Sequence, residues 1–343
     1  MATSWSIWTY ALITMEHVLV AQKQSPASRA VSVLPEVGLC IAGLLLFYVM
    51  PEDLGFATRI LIGCLFALSL DLVLGYAGIV TLGHAAMFGI GAYAAGIFAV
   101  KVSGDPLLGL MVGAAAGAMV AAISGLLVLR SHGLTSVMIT LAIAQLLAEV
   151  ASKWRSLTGG DDGLSGIATS PLFGRFEFDF LGQTGYFYAL TVLILAFAFL
   201  RRLVRSPFGL TTVGIREDRE RMSSLGCRVN RHLTIVYAIG GALAGIAGAL
   251  SAQITQVVGL TSLGFSHSAE VLVMLVLGGT GRLWGAIVGT LAFMVVHHYA
   301  AAVDPFRWMF VIGGLLLVVV LFMPGGITGA IATLAQRLKG ANK

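Results

Sequence analysis

Long apolar runs alternate with short polar breaks along almost the whole chain. The stretches 57–76, 106–129, 185–200, 233–250 and 306–323 are almost free of charge. A helix rises about 1.5 Å per residue, so about 20 apolar residues cross a hydrocarbon core of about 30 Å. The pattern predicts ten spans, at about 37–50, 57–75, 80–100, 106–129, 134–152, 185–204, 232–255, 267–281, 283–302 and 306–323. The first and eighth are short for a full crossing, which tilt, greater length or a re-entrant path would each explain. Composition agrees: 11% of the residues are charged, against roughly 25% in soluble domains, too few to cover a water-soluble surface. The expected fold class is all-α, a polytopic transmembrane helical protein. An extension over 1–36 precedes a membrane domain over 37–330, and a tail over 331–343 follows it.

An even number of spans puts both termini on one side, and Lys and Arg choose the side. With both ends cytoplasmic, the inner segments hold 15 of the 21 basic residues and the outer segments six. The longest outer loop is then 153–184, and the arginine-rich stretch 205–231 faces the cytoplasm. The net charge of +5 follows this placement and gives no reason to expect nucleic acid as a partner. Residues 1–36 lack the basic start, apolar core and small-residue cleavage site of a secretory signal. "IWTYALITMEHVLVA" (7–21) fits a helix lying along the inner face or a poorly ordered tail.

Many of the 43 glycines sit inside the apolar runs. Lipid gives little hydrophobic drive between helices, so small residues that let backbones approach do the packing. "GAAAGAMVAAISG" (113–125) and "GGALAGIAGALSA" (240–252) carry that spacing and predict tight helix contacts. Cys40, Cys64 and Cys227 are far apart and form no metal or disulfide pattern. There is no GxxxxGK[ST] loop and no zinc or nucleophile constellation, so any ATP chemistry belongs to another chain.

"TLGHA" (81–85) begins the third span and "SLGFS" (262–266) precedes the eighth. Five spans separate them, so the matching spans cross in opposite directions, as in an inverted-topology repeat of spans two to five and seven to ten. The match is short, and chance competes with it. "GYAGIVTLGHAAMFGIGAYAAG" (75–96) offers Gly75, Tyr76, Thr81, Gly83 and His84 at a helix break. Irregular backbone at membrane depth persists where it is buried in protein or lines a cavity, so these residues form either a pathway-lining break or a tight turn between spans. His84 alone fits a hydrogen-bonded packing residue. Asp71, Glu149 and Glu270 are acids within or at the ends of spans. Such acids usually face an interior, as an ion or proton relay or as members of local pairs. In "TGGDDGLSG" (158–166), Asp161 and Asp162 sit where a turn or helix start is expected; contact with an external partner is the other reading.

Eight arginines fall between Arg201 and Arg231, with Glu217, Asp218 and Glu220 among them. "SPFG" signals a turn and a helix start. "LTTVGIREDRERMSSLG" reads as one or two short helices ending near Gly226, with Arg216–Glu220 and Glu217–Arg221 as i,i+4 pairs. Val213, Ile215, Met222 and Leu225 supply an apolar side. Either this is a solvated loop that enforces topology, or it docks a soluble cytoplasmic subunit.

"SPFG…IRED…LG" after a central span resembles the cytoplasmic coupling segment of permeases in the branched-chain amino acid ABC importer family, LivM-like branch. "GYAG…TLGHAAMFGIGAY", "SLTGGDDGL", "GGALAGIAGAL", "LVLGGTGRLWGAIVGT" and "PGGITG" occur in that family's order, so the resemblance covers about residues 55–330. It implies a multi-pass permease subunit of the bacterial inner membrane, with no catalytic centre, no metal and no cofactor of its own. It implies as partners a second, LivH-like permease, two ABC ATPase subunits (LivG/LivF-like) that hold ATP and Mg, and a periplasmic binding protein that delivers solute. Carried onto this chain, Arg216, Glu217, Asp218, Arg221, Leu225 and Gly226 would couple to an ATPase. Asp161 and Asp162 would face the binding protein, and Gly75, Tyr76, Thr81, Gly83 and His84 would lie near the pathway. The family often has Gln at Ile79, Asn at Asp71 and Glu at Ser223; family solutes range over leucine-type amino acids, urea, amides and aromatic acids. The competing class is an ion-coupled secondary transporter that uses Asp71.

Overall fold

The computed structural model describes residues 34–49, 53–131, 133–171 and 182–303, with scattered positions between 310 and 330. The chain divides into two units, residues 1–44 and 45–343. Of the first, the described residues are 34–44, the opening of an apolar helix α1 (Leu34–Val49). The second unit is a bundle, and the described residues contain no strand beyond one isolated bridge. Its long helices are α2 (Leu54–Leu70, continued by a π-helical turn Asp71–Tyr76), α3 (His84–Lys101), α4 (Pro106–Val128) and α5 (Leu134–Lys153). After a short α6 (Arg155–Thr158) come α7 (Gln183–Arg205), two short helices α8 (Pro207–Glu217) and α9 (Arg219–Ser224), then α10 (Val229–Thr255), α11 (Phe265–Gly278) and α12 (Leu283–Val303).

Seven of these are long and apolar enough to cross a membrane: α2 with its π-turn, α3, α4, α5, α7, α10 and α12. The two spans expected to be short are shorter apolar helices, Glu36–Tyr48 within α1 and Phe265–Gly278. Most of the expected tenth span, the stretch 7–21 and the tail 331–343 lie outside the described residues. So do residues 172–181 of the expected outer loop.

The core is built around α2, which apart from Arg59 is largely apolar and is buried over most of its length, as expected of a helix packed among others. The glycine-rich stretches of α4 and α10 pack on each other. A Cβ added at Gly245 would overlap the Gly113 carbonyl, and one at Gly117 would overlap the Gly241 carbonyl. The two backbones are therefore in direct contact, the close approach that small residues permit in lipid. Helix α3 joins them through Gly91, which lies against Gly245.

Several polar groups inside the bundle pair with one another. At the start of α4, Asp105 caps the Leu107 N–H at 3.0 Å beside Pro106, the residue pair that suits a helix N-terminus. The Pro106 carbonyl accepts from Gln253 Nε2 at 2.8 Å, and the Tyr188 hydroxyl donates to Gln253 Oε1 at 3.0 Å. This buried trio ties α4, α7 and α10 together. At the other extreme α5 leaves most of its surface uncovered.

Candidate functional site

Helix α2 does not end cleanly. Over Asp71–Tyr76 it widens into a π-helical turn, and residues 77–83 then run irregularly to the start of α3 at His84. Gly78 adopts φ +71°, a left-handed conformation that glycine reaches without strain. π-Turns are rare and frequently mark functional positions.

The irregular stretch is pinned from several sides. Asp71 is fully buried, and its Oδ1 accepts the Gly281 N–H at 2.7 Å. Gly281 lies in the tight turn between α11 and α12, with φ +77°. A Cβ at Gly75 would collide with both the Asp71 carboxylate and the Gly281 nitrogen. The Gly75 carbonyl accepts a hydrogen bond from Arg216 Nη1, and the Arg216 stem packs over Gly78. Thus "GYAG", "IRED" and "GGTGRLWG", far apart in sequence, meet at one point. "PGGITG" joins them, since Thr328 Oγ1 donates to the Gly278 carbonyl at 2.6 Å.

Further into the bundle, the Leu82 N–H donates to Thr140 Oγ1 at 3.3 Å, and the Gly83 N–H to Thr81 Oγ1 at 3.2 Å. His84 pairs through Nε2 with Ser69 Oγ at 2.8 Å, and its ring stacks on Phe66. The Ala85 N–H donates to Ser268 Oγ at 2.9 Å, which joins the first turns of α3 and α11. Gly75, Thr81, Gly83 and His84 are buried in protein and Tyr76 is half-buried. Asp71 Oδ2 has no partner among the described residues.

The second interruption precedes α11. The chain turns at Gln256, forms an antiparallel bridge between Val258 and Leu164 (2.8 and 2.9 Å), and passes through the short helical turn Leu260–Leu263. "TLGHA" and "SLGFS" therefore occupy like places, each between a long helix and the next helix start. The bridge also attaches "TGGDDGL" to this second break. In that loop Gly159, Gly160 and Gly163 all have positive φ. Asp161 accepts from Ser152 Oγ at 2.5 Å, and both Asp161 and Asp162 are exposed.

The cytoplasmic-type segment is two helices rather than one. Ser206 caps α8 beside Pro207, and Asp218, in an extended conformation, ends α8 and caps α9 through the Arg221 N–H at 2.9 Å. This corrects the expected pairs Arg216–Glu220 and Glu217–Arg221. The i,i+4 spacing works only on a continuous helix, and the break at Asp218 removes it; neither pair occurs among the ion pairs of the described residues. Ile215 is buried, whereas Glu217, Asp218, Glu220, Arg221, Leu225 and Gly226 are exposed. Leu225 stands 74% exposed, an apolar side chain presented among charges. Arg216 keeps solvent exposure, although its stem packs over Gly78 and its head reaches inward to Gly75.

The other acids are local pairs. Glu149 and Lys153 are 3.9 Å apart on the exposed end of α5, and Glu270 lies 3.4 Å from His267 Nδ1. Among the described residues no cluster of His, Cys, Asp and Glu has the makings of a metal site.

Comparison with known proteins follows this geometry. Residues 54–321 match the family model for the branched-chain amino acid transport system / permease component. The chain is 28% identical over 308 residues to the high-affinity branched-chain amino acid transport system permease protein LivM of Escherichia coli, covering 82% of this chain and 71% of that one. It is 32% identical over 125 residues to the LivH permease protein of the corresponding system in Salmonella typhimurium, 36% of this chain and 40% of that one. It is 30% identical over 237 residues to the autoinducer 2 import system permease protein LsrC of Klebsiella pneumoniae, 66% and 65% of the two chains. No solved structure matches the chain.

Proposed function

Because this chain belongs to the family of branched-chain amino acid transport permease components, we propose that it forms half of the translocation pathway of an ATP-driven importer. It works in a bacterial inner membrane with both termini in the cytoplasm. Its solute is small and amino-acid-like, or a carboxylate or amide, delivered by a periplasmic binding protein that contacts the loop around Asp161 and Asp162. The second half of the pathway comes from a LivH-like permease, and two ATPase subunits supply the ATP and Mg chemistry. The membrane chain itself contributes positioning and motion.

The observation that carries this reading is the Arg216 contact. A coupling element must face a soluble subunit on one side and grip the spans on the other. Here Leu225, Glu217, Asp218, Glu220 and Arg221 are exposed, ready for an ATPase surface. One residue from Glu217, Arg216 grips the break of α2 beside the α11–α12 turn. Displacement of α8 by ATPase closure would pull on Gly75, hence on the π-turn and on the Gly281 turn together. The break at Gly75–His84 is thereby the part of the pathway that the motor moves.

The test is purification of the tagged chain from native membranes by gentle extraction, followed by transport in vesicles. A second permease and two ATPases should come with it, and uptake should require ATP hydrolysis. Uptake by the chain alone, driven by an ion gradient, would overturn the reading. It would favour the secondary transporter instead, to which the buried, unpartnered Asp71 Oδ2 lends the one specific support.

A further inference from the structure

A cavity of about 160 Å³ lies among α2, α3, α10, α11 and α12, away from Asp71 and Arg216. Its wall includes Arg59, Phe66, Phe88, Ser251, His267 and Met274. Arg59 is five residues past Leu54 and Phe66 twelve, about 8 and 18 Å along α2. The span with its π-turn has 23 residues, so the cavity runs from near one end of the membrane helix to about its middle.

Its two ends differ in chemistry. Arg59 stands near the α2 start, exposed and with no ion-pair partner among the described residues. A cation within a span usually faces an interior or water-filled cavity. Phe66 stands at the deep end, its ring stacked 5.6 Å from the ring of His84 and 5.1 Å from that of His267. Phe88 closes the same corner, 4.8 Å from Phe66 and 4.9 Å from His267. Apart from Arg59, the charged or titratable groups at this place are His84 behind Phe66, and His267 with its partner Glu270, 3.4 Å away. His267 Nε2 has no partner among the described residues. The volume compares with the about 150 Å³ apolar cavity that takes benzene.

We propose that this cavity is a solute station that reads charge at its mouth and apolar bulk at its base. It takes a small solute bearing one carboxylate, with the carboxylate at Arg59 and the apolar body against Phe66, Phe88 and Met274. Ser251 and His267 offer polar atoms between the two. The proposal rests on the permease reading above and adds to it where, and which way round, the solute is held.

The test places a thiol inside the cavity. Ser251→Cys is nearly isosteric; Cys40→Ala and Cys227→Ala remove the half-exposed thiols, and Cys64 stays because it is buried. Membranes carrying this chain are labelled with 2-sulfonatoethyl methanethiosulfonate, an anion, and with its trimethylammonium counterpart, a cation. The anion should react about tenfold faster, at the low end of the rate gain that a charge-lined cleft gives, and Arg59→Gln should erase the preference. Leucine should slow the labelling more than leucinamide does, and Arg59→Gln should make the two equal. Equal rates for the two charged reagents would overturn the proposal, as would equal protection by leucine and leucinamide with Arg59 intact. Reaction with an uncharged, membrane-permeant maleimide alone would also overturn it, showing that the cavity opens to lipid. Labelling needs neither ATP nor an ATPase, so this result and that of ATP-driven uptake can fail separately.

Discussion

Two interruptions divide the bundle, and they are held by different means. The first, residues 77–83 with the π-turn before it, is fixed by side-chain hydrogen bonds. Asp71 holds the Gly281 N–H, Arg216 holds the Gly75 carbonyl, and Thr140 holds the Leu82 N–H. The second, residues 256–264, is fixed by shape and by one backbone bridge. Leu263 is buried against Gly89, and Val258 pairs with Leu164. Polar anchors have direction and can be pulled from a distance through a side chain such as Arg216. Packed anchors have none. In the importer proposed above, motion would belong to the first break and position to the second.

Four substitutions test that contrast, each read by thermal unfolding of the detergent-purified protein. The largest effect is expected from Gly75→Val, which drives a branched side chain into Asp71 and Gly281. It should destabilise by about 3 kcal/mol, at the upper end for overpacking. Leu263→Ala should cost about 2 kcal/mol, at the lower end for a buried leucine because lipid rather than water is the alternative surroundings. An absence of loss from Leu263→Ala would remove shape as the hold on the second break. Arg216→Ala should cost only about 1 kcal/mol, since the residue keeps solvent exposure although its bond is charge-assisted. Its loss of ATP-driven uptake should be far greater than that figure suggests. Asp71→Asn should change stability by less than about 0.5 kcal/mol, because an amide oxygen still accepts the Gly281 N–H. A large drop there would show that the negative charge itself holds the break.

Much of this fold could be read along the chain, and the reason is local. Hydropathy fixes which segments enter lipid, and small-residue spacing marks the faces of α4 and α10 that meet. Those two facts depend only on neighbours three or four positions away. The short apolar helix Phe265–Gly278 is legible for the same reason. The site was legible in its parts and not in its assembly. "GYAG" announced a break, but Gly281 lies 210 positions from Asp71, and no periodicity connects them. The resemblance to the coupling segment points Arg216 toward an ATPase; its inward grip depends on how α8 meets the π-turn of α2. The error over the i,i+4 pairs was avoidable, since Asp218 stands three residues before Arg221 in the position of a helix cap. Arg59 carries no motif in the sequence, and its place on the cavity wall depends on four other helices.

The seam between α4 and α10 bears on how the gene can change. At Gly117, Gly241 and Gly245 the space for a side chain is taken by another backbone. Every coding change at these codons adds atoms, so no conservative step exists, and a helix pair joined this way cannot drift by small moves. A compensating change would have to remove atoms from a facing residue that in several cases is itself glycine, with nothing left to remove. A side chain added on α5, most of whose surface is uncovered, meets no such obstacle.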